Sequence, residues 1–407
     1  MTSESASKKI FTRERILLLV GLLLVASNLR PALTSVSAVL ETIGQDLGLG
    51  GAALGLLTAI PVLCMSVFAL TATWISERIG AERGVLWAVA LIGVATAARL
   101  AGEAPIALFA STLLVGVGIA VAQAELPAIV KGSFSERAAL VTGIYTIGIN
   151  AGAALAAGAT FPLQQLFGGF WPGALAFWSL LALVAAVFWL PFASRSHATR
   201  QSGAVAGAGT SLPWRSRRAW LVSLFFGAQS CVYYSALTWL APLYSSQGLG
   251  EEQAATLFTV FAFVGIPASL IIPALADRWG DRRPWLALTI GLDILGLAGA
   301  GLFPVATSWS PWMWAIMLGV GAGGLFPLAL TLPVDNAADE AEAGRLTAMT
   351  FFVGYMLSAL GPFAVGRLRD ATGGYVVPFV ALAVLGMVML FASFWFRPRS
   401  SPANRGG

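Results

Sequence analysis

The feature that most constrains this chain is a series of twelve mostly apolar stretches, which together cover the sequence almost from end to end. A helix needs about 20 such residues to cross the hydrocarbon core of a bilayer. Several stretches contain Pro or Gly, which helices tolerate better in lipid than in water. The pattern predicts an all-α membrane protein with twelve transmembrane helices, in contact with the lipid bilayer.

The composition excludes the main alternatives. Only 11% of the 407 residues are charged and 57% are hydrophobic, whereas soluble domains carry about 25% charged residues. Disordered chains combine low hydrophobicity with high charge. With Cys64, Cys231 and His197 as its only cysteines and histidine, the chain offers no disulfide framework and no Cys/His metal site. We find no convincing nucleotide motif or catalytic triad, and therefore expect no enzyme, no metal and no cofactor.

The basic residues are distributed asymmetrically along the chain. If the N-terminus is cytoplasmic, 20 of the 24 lysines and arginines fall in segments on that side, three fall on the other side, and Arg30 lies within the first stretch. This is the positive-inside bias of membrane proteins, and it explains the pI near 9.6 without a nucleic-acid partner. We expect a multi-pass protein of the bacterial inner membrane with both termini in the cytoplasm.

A polar segment divides the chain into two similar halves. Residues 194–217 are rich in Arg, Ser, Gly and Ala, which is typical of a flexible linker. We predict a six-helix bundle over 1–193, a cytoplasmic linker over 194–217 and a second six-helix bundle over 218–407. A weak repeat joins Ala32-Leu33-Thr34 to Ala236-Leu237-Thr238 and thereby places Tyr234 in the register of Arg30. Two such halves in a parallel repeat are a known transporter layout.

A loop motif also recurs in the two halves. Glu77-Arg78-Ile79-Gly80-Ala81-Glu82-Arg83 follows the second stretch, and Asp277-Arg278-Trp279-Gly280-Asp281-Arg282-Arg283 follows the eighth. Both loops resemble the signature loop of the major facilitator superfamily, although Glu77 replaces the usual Asp. The number of stretches, the linker and the repeat extend this resemblance over the whole chain.

Three further motifs resemble the cyanate and 2-nitroimidazole transporter branch of that superfamily. They are Asn28-Leu29-Arg30-Pro31, Pro61-Val62-Leu63-Cys64, and Gly324-Leu325-Phe326-Pro327-Leu328-Ala329-Leu330-Thr331. The resemblance implies a secondary active transporter that moves a small polar or anionic solute by alternating access, with a proton gradient as energy source. It also implies that helices 1, 4, 7 and 10 line the cavity. The alternative within the superfamily is a drug/proton antiporter with a broad aromatic pocket.

Arg30 is the strongest candidate for a functional side chain. It lies about 15 residues beyond Arg15, hence about 22 Å along a helix and near mid-membrane. An arginine there costs about 2.5–3.5 kcal/mol on insertion scales, so it must face a cavity or a partner. Pro31 leaves the carbonyl of Ser27 without its helical donor, and we expect the helix to be bent or opened at this point. A guanidinium suits a small planar anion.

Two acids within the stretches, Glu125 and Asp293, provide the alternative, because either could pair with Arg30 and make it structural. Glu125 is the candidate for proton coupling, and otherwise a gate element or a partner of Arg30 or Arg137. For Asp293 we expect a structural hydrogen bond, since the resemblance places its helix at the periphery.

Other polar and aromatic side chains could line a substrate cavity, because small-ligand pockets combine aromatic walls with a few polar groups. The candidates are Asn28, Thr34, Gln123, Tyr145 and Asn150 in the first half, and Gln229, Tyr233, Tyr234, Trp239, Phe326 and Tyr355 in the second. The alternative for each is helix packing, and for Trp239 a belt of aromatic residues at the membrane surface.

We expect the two loops to act as gates, since their charges can pair at the cytoplasmic face in one conformation and separate in another. The residues concerned are Glu77, Arg78, Arg83, Asp277, Arg278 and Arg282.

Overall fold

A computed structural model of the chain describes residues 13–69, 78–134, 137–195 and 212–396. Within these ranges the regular elements are helices, and none is a strand. The α-helices are α1 (Arg13–Ser27), α2 (Pro31–Ala38), α3 (Leu40–Leu47), α4 (Gly51–Ala69), α5 (Ala81–Ala97), α6 (Pro105–Ser133), α7 (Ala138–Leu166), α8 (Trp171–Phe177), α9 (Ser179–Arg195), α10 (Arg217–Ser246), α11 (Glu251–Trp279), α12 (Arg283–Leu302), α13 (Ser310–Asp335), α14 (Glu340–Thr372) and α15 (Val376–Ser393).

In the described part of the chain, twelve helical segments are long and apolar enough to cross a membrane, which confirms the predicted number. Span 1 combines α1 and α2, and span 6 combines α8 and α9. Helices α4 to α7 form spans 2 to 5, and α10 to α15 form spans 7 to 12.

Large apolar side chains cover the outside of the molecule. Trp87, Ile106 and Phe263 are 69%, 85% and 64% exposed, respectively. Soluble proteins rarely expose contiguous apolar surface, whereas a lipid environment solvates it. The outer surface is therefore that of a membrane-embedded protein.

Spans 1 to 6 pack against one another in one bundle, and spans 7 to 12 pack in a second bundle. The two bundles meet along span 2 with span 11 and along span 5 with span 8. Glycines permit this close approach, since a methyl group at Gly55 would overlap the backbone of Pro362, and one at Gly366 would overlap the backbone of Gly51. Residues 196–211 of the predicted linker lie outside the described residues, so the exact domain boundaries stay a prediction.

The two ends of the bundles are named here for later use. The linker end is the end at which span 6 finishes and span 7 begins. The far end is the opposite one, where spans 1 and 11 finish.

Span 1 is broken in its middle, as predicted from Pro31. Helix α1 ends at Ser27 and α2 begins at Pro31, with Arg30 as the N-cap residue. The backbone of span 5 passes so close to the carbonyl of Ser27 that a methyl group at Gly152 would overlap it. The break therefore sits against a glycine, and the side chain of Arg30 leaves the helix at this point.

Candidate functional site

Arg30 lies between the two halves, where span 1 meets span 7. Its guanidinium carbon is 5.6 Å from the ring centre of Tyr233 and 5.3 Å from that of Tyr234. The two rings meet edge to face, with centres 5.2 Å apart. Such cation–π contacts stabilise a desolvated cation by up to about 2 kcal/mol each. The side chain is only 7% exposed, so these rings are its main environment.

The ion pair that we considered for Arg30 is absent. No ion pair within the described ranges involves Arg30, and its Nη1 atom is buried without a hydrogen-bond partner in the protein. Asp293 is buried against span 10 instead, where a methyl group at Gly321 would overlap its carboxyl group. Glu125 is buried on span 4. In the conformation described, neither Glu125 nor Asp293 forms an ion pair with Arg30.

Tyr355 of span 11 completes the surroundings of Arg30. It lies within electrostatic range of the guanidinium, and its hydroxyl accepts a hydrogen bond of 3.3 Å from Gln123 Nε2 of span 4. The bond joins the two halves. We refer to Arg30, Tyr233, Tyr234 and Tyr355 as the Arg30 cluster.

Aromatic rings extend this cluster on the side of span 10. The ring of Phe226 lies 5.4 Å from that of Tyr355, 5.7 Å from that of Phe351 and 6.1 Å from that of Phe326. Phe326 is therefore one ring removed from Tyr355. Phe226 was not among the sequence candidates, because a lone phenylalanine in an apolar stretch carries no distinguishing signal.

Gln229 of span 7 lies one helical turn before Tyr233 and is buried. Its Oε1 atom accepts a hydrogen bond of 3.1 Å from Ser230 Oγ. Its Nε2 atom is buried and has no partner in the protein. Gln229 thus contributes a second buried donor on the helix that carries the two tyrosines.

Four further predicted site residues lie on spans 1 and 5. The Asn28 amide donates to the carbonyls of Leu24 (2.9 Å) and Leu181 (3.2 Å), which ties span 1 to span 6. Thr34 is fully buried in α2. On span 5, Tyr145 is half-buried, and Asn150 Nδ2 donates to Ser269 Oγ of span 8 at 3.4 Å.

Trp239 does not lie with Arg30. It is fully buried, and its Nε1 atom donates to the carbonyl of Pro362 at 2.9 Å, which joins span 7 to span 11 within the second half. The guanidinium carbon of Arg369 lies 5.6 Å from its ring centre. Trp239 therefore belongs to the far end, in agreement with the packing alternative.

At the far end, three charged residues join the two halves, and we call them the far-end cluster: Glu41, Arg369 and Asp370. Arg369 Nη2 donates to the two carboxylate oxygens of Glu41 at 3.0 and 3.3 Å. The carboxylate of Asp370 accepts hydrogen bonds from the backbone N–H groups of Gly51 (2.8 Å) and Ala52 (3.0 Å), at the start of span 2. In this conformation the far end is closed.

Tyr375 supports the far-end cluster from the second half. Its ring centre lies 5.0 Å from the guanidinium carbon of Arg369. Burial raises the pKa of the Tyr375 phenol, while the charge of Arg369 opposes this shift. The phenol therefore stays neutral and contributes a ring face rather than a charge. The far-end cluster was not predicted from the sequence, because charged residues are common at helix ends.

Arg282 of the second signature loop bonds to residues of its own half. Arg282 pairs with Asp277 at 2.9 Å and also with Asp335 and Thr331 of span 10. In the first loop, Arg83 Nε donates to the carbonyl of Ala193 at 3.3 Å.

Arg278 is exposed. Arg78 lies at the edge of a described range, and Glu77 lies outside the described residues. The predicted pairing of the loop charges at the cytoplasmic face therefore stays a prediction.

Arg99 is a second buried arginine. It was not predicted from the sequence, because its position indicated only the end of a helix. Arg99 is fully buried, and its Nη1 atom donates to the carbonyl of Ala32 in α2 at 2.5 Å. It fixes the helix that begins immediately after Arg30.

Comparison with known proteins agrees with this architecture. The family model described as Major Facilitator Superfamily matches residues 18–362. The chain is 32% identical to the cyanate transport protein CynX of Escherichia coli, over 93% of this chain and 97% of that protein. It is 33% identical to the 2-nitroimidazole transporter of the same organism, over 95% of this chain and 96% of that protein. The crystal structure of the nucleoside transporter NupG shares the fold, with a TM-score of 0.75 at 13% identity, covering 93% of this chain and 99% of NupG.

Two six-helix bundles side by side are the layout of many transporters. The chain is a member of the Major Facilitator Superfamily and is similar in sequence to its cyanate and 2-nitroimidazole transporters. It is therefore not an enzyme.

Proposed function

We propose that this protein carries a small polar or anionic solute, of the cyanate or nitroimidazole type, across the bacterial inner membrane. The observation that supports this most directly is Arg30, buried between Tyr233 and Tyr234 with Nη1 unpartnered. A guanidinium donates hydrogen bonds in a fixed plane, which suits planar acceptors. The relatives at 32% and 33% identity are a cyanate transport protein and a 2-nitroimidazole transporter, which supports a solute of this size.

Transport would proceed by alternating access of the Arg30 cluster. The cluster lies between spans 1 and 7, one from each half, so a rocking motion of the halves changes the side from which it is reached. In the conformation described, the far-end cluster joins the halves. The opposite conformation requires these contacts to separate, and the signature loops then pair at the linker end as gates. By the positive-inside bias the linker end and both termini are cytoplasmic.

A proton gradient would supply the energy, with Glu125 as the residue that carries the proton. Glu125 is an acid buried within a span, and intramembrane acids commonly mark proton pathways. It lies two residues from Gln123, whose amide contacts Tyr355 of the Arg30 cluster. Residues two positions apart point to nearly opposite faces of a helix, so protonation of Glu125 would act on the site through a movement of span 4 and not through direct contact.

The second candidate function is a drug/proton antiporter. The ring cluster around Phe226, with Phe326, Phe351 and Tyr355, is the observation in its favour. In that case Arg30 is structural, and its loss leaves ligand affinity intact.

The deciding experiment is a binding titration on Arg30→Ala and Arg30→Lys beside the wild type, with cyanate, 2-nitroimidazole and a panel of small anions. Transport of the same compounds is measured in liposomes. Losing a buried charged partner costs about 2–5 kcal/mol, more than tenfold in affinity. Lysine does not restore binding, because it offers a point charge in a different geometry.

Arg99→Lys is the matched control for this titration, since Arg99 is another buried arginine of the same half but bonds to the backbone. It should lower stability more than affinity. Wild-type affinity in Arg30→Ala would refute the anion site and favour the antiporter.

A further inference from the structure

The surroundings of Arg30 offer hydrogen-bond donors in excess. Arg30 Nη1 and Gln229 Nε2 are both buried and both lack a partner in the protein. The acceptor atom of Gln229 is already occupied by Ser230 Oγ, so its remaining group is an N–H donor. Side chains four residues apart share one helix face, and Gln229 therefore shares the face of Tyr233, whose ring lies 5.6 Å from the Arg30 guanidinium. Gln229 is thus one helical turn from the tyrosine ring that Arg30 contacts.

The surroundings of Arg30 lack a counter-charge from the protein. Within the described ranges, no carboxylate forms an ion pair with Arg30. Tyrosine rings stabilise a cation through their faces but do not neutralise it. A neutral ligand would leave the charge uncompensated, whereas an anion would neutralise it in a site of low dielectric constant, where the attraction is strong.

The geometry also selects for shape. The Tyr233 and Tyr234 rings stand at 73° to each other and form a corner beside the guanidinium. A flat ligand can stack on one ring while acceptor atoms in its own plane face Arg30 and Gln229. Carboxylates, azolates and cyanate are planar or linear anions of this kind.

We propose that the solute is bound and carried in its deprotonated form, as a planar anion held by Arg30 Nη1 and Gln229 Nε2. This inference rests on the proposed function and specifies the charge state of the substrate. It makes Gln229 a residue that determines specificity.

The first experiment uses three compounds of nearly equal shape: 2-nitroimidazole, its ring-N-methyl derivative, which cannot lose a proton, and a ring-C-methyl derivative, which can. Dissociation constants are measured below and above the pKa of each ligand, determined separately in the same buffer. We expect the two ionisable compounds to bind in proportion to their ionised fraction. The N-methyl compound should bind at least tenfold more weakly than the C-methyl compound at the higher pH, and without dependence on ligand ionisation.

The second experiment uses Gln229→Glu, which places a carboxylate on the helix face of Tyr233, one turn away from it. We expect more than tenfold weaker binding of the ionised compounds, with no loss for the N-methyl compound. Gln229→Met is the matched control, because it removes the donor without adding charge, and its effect on the ionised compounds should be smaller.

Equal affinity for the N-methyl and C-methyl compounds, or wild-type binding of the anion by Gln229→Glu, would overturn the charge-state inference while leaving the transporter intact. If neither these compounds nor cyanate is bound or transported, the proposed function fails, and the inference fails with it.

Discussion

Removal of the far-end cluster should shift the conformational equilibrium of the protein. The double substitution Glu41→Ala and Asp370→Ala removes the ion pair with Arg369 and the two hydrogen bonds to the first N–H groups of span 2. All of these contacts join one half to the other. They exist only while the far end is closed, so their loss destabilises that conformation selectively.

The magnitude follows from the exposure of the groups. Loss of a carboxylate that caps a helix N-terminus costs about 0.5–2 kcal/mol. The side chains of Arg369 and Glu41 are 22% and 28% exposed, and we assign this partly screened pair about 0.5 kcal/mol. The sum is roughly 1–2.5 kcal/mol, and since 1.4 kcal/mol corresponds to a factor of ten, the equilibrium should shift by about 5- to 60-fold.

The assay measures how fast a thiol behind the cluster reacts. Ser37, which is buried and lines a small cavity beside Glu41, is replaced by cysteine after Cys64 and Cys231 have been changed to alanine. A membrane-impermeant maleimide is then added from the predicted periplasmic side. We expect the labelling rate to rise at least fivefold in the double variant.

Asp339→Ala provides the matched control. Its carboxylate also caps a helix, accepting a hydrogen bond of 2.7 Å from Glu342 N, but both residues belong to the same span. Its loss should leave the labelling rate unchanged. An unchanged rate in the Glu41 and Asp370 double variant would refute the reasoning, and so would an equal rise in Asp339→Ala.

The remaining predictions concern coupling, packing and topology. Glu125→Gln should keep solute binding but lose proton-driven accumulation in liposomes, and unchanged accumulation would make Glu125 structural. Gly152→Ala should lower the free energy of unfolding by about 1–3 kcal/mol, because the added methyl group overlaps the carbonyl of Ser27. Gly143→Ala on the same helix is the control, since its methyl group meets open space. Equal melting temperatures of the two variants would contradict the close contact at Gly152. Reporter fusions at residue 205 and at the C-terminus should report the same side, the cytoplasm, and opposite sides would disprove the topology.

The sequence was sufficient for the number of spans and for the break in span 1. Both depend on local properties, namely the length of an apolar stretch and the missing N–H of Pro31. The weak repeat set Tyr234 in the register of Arg30, but it did not predict that the two side chains touch.

The contacts between helices were not predictable in the same way. Trp239 and Tyr234 lie on one helix, five residues apart, so their side chains are rotated by about 140° relative to each other. Tyr234 therefore faces Arg30 while Trp239 packs against Pro362. Spans that are apolar on every face give no amphipathic signal for their orientation. The orientation of such a span is set by close contacts, for example that of Gly366 with Gly51. These two glycines are over 300 residues apart in the sequence.

The contact between Arg30 and Tyr234 also bears on the origin of the molecule. Two positions that correspond in a repeat and touch each other, here at 5.3 Å, must lie close to the axis that relates the halves. In an ancestor assembled from two identical halves, the residue at this position would have faced its own copy. Two arginines there would repel each other, and two tyrosines would offer no cation. The pairing of a cation with an aromatic ring in the Arg30 cluster could therefore arise only after gene duplication, once one copy had acquired the charge and the other the ring.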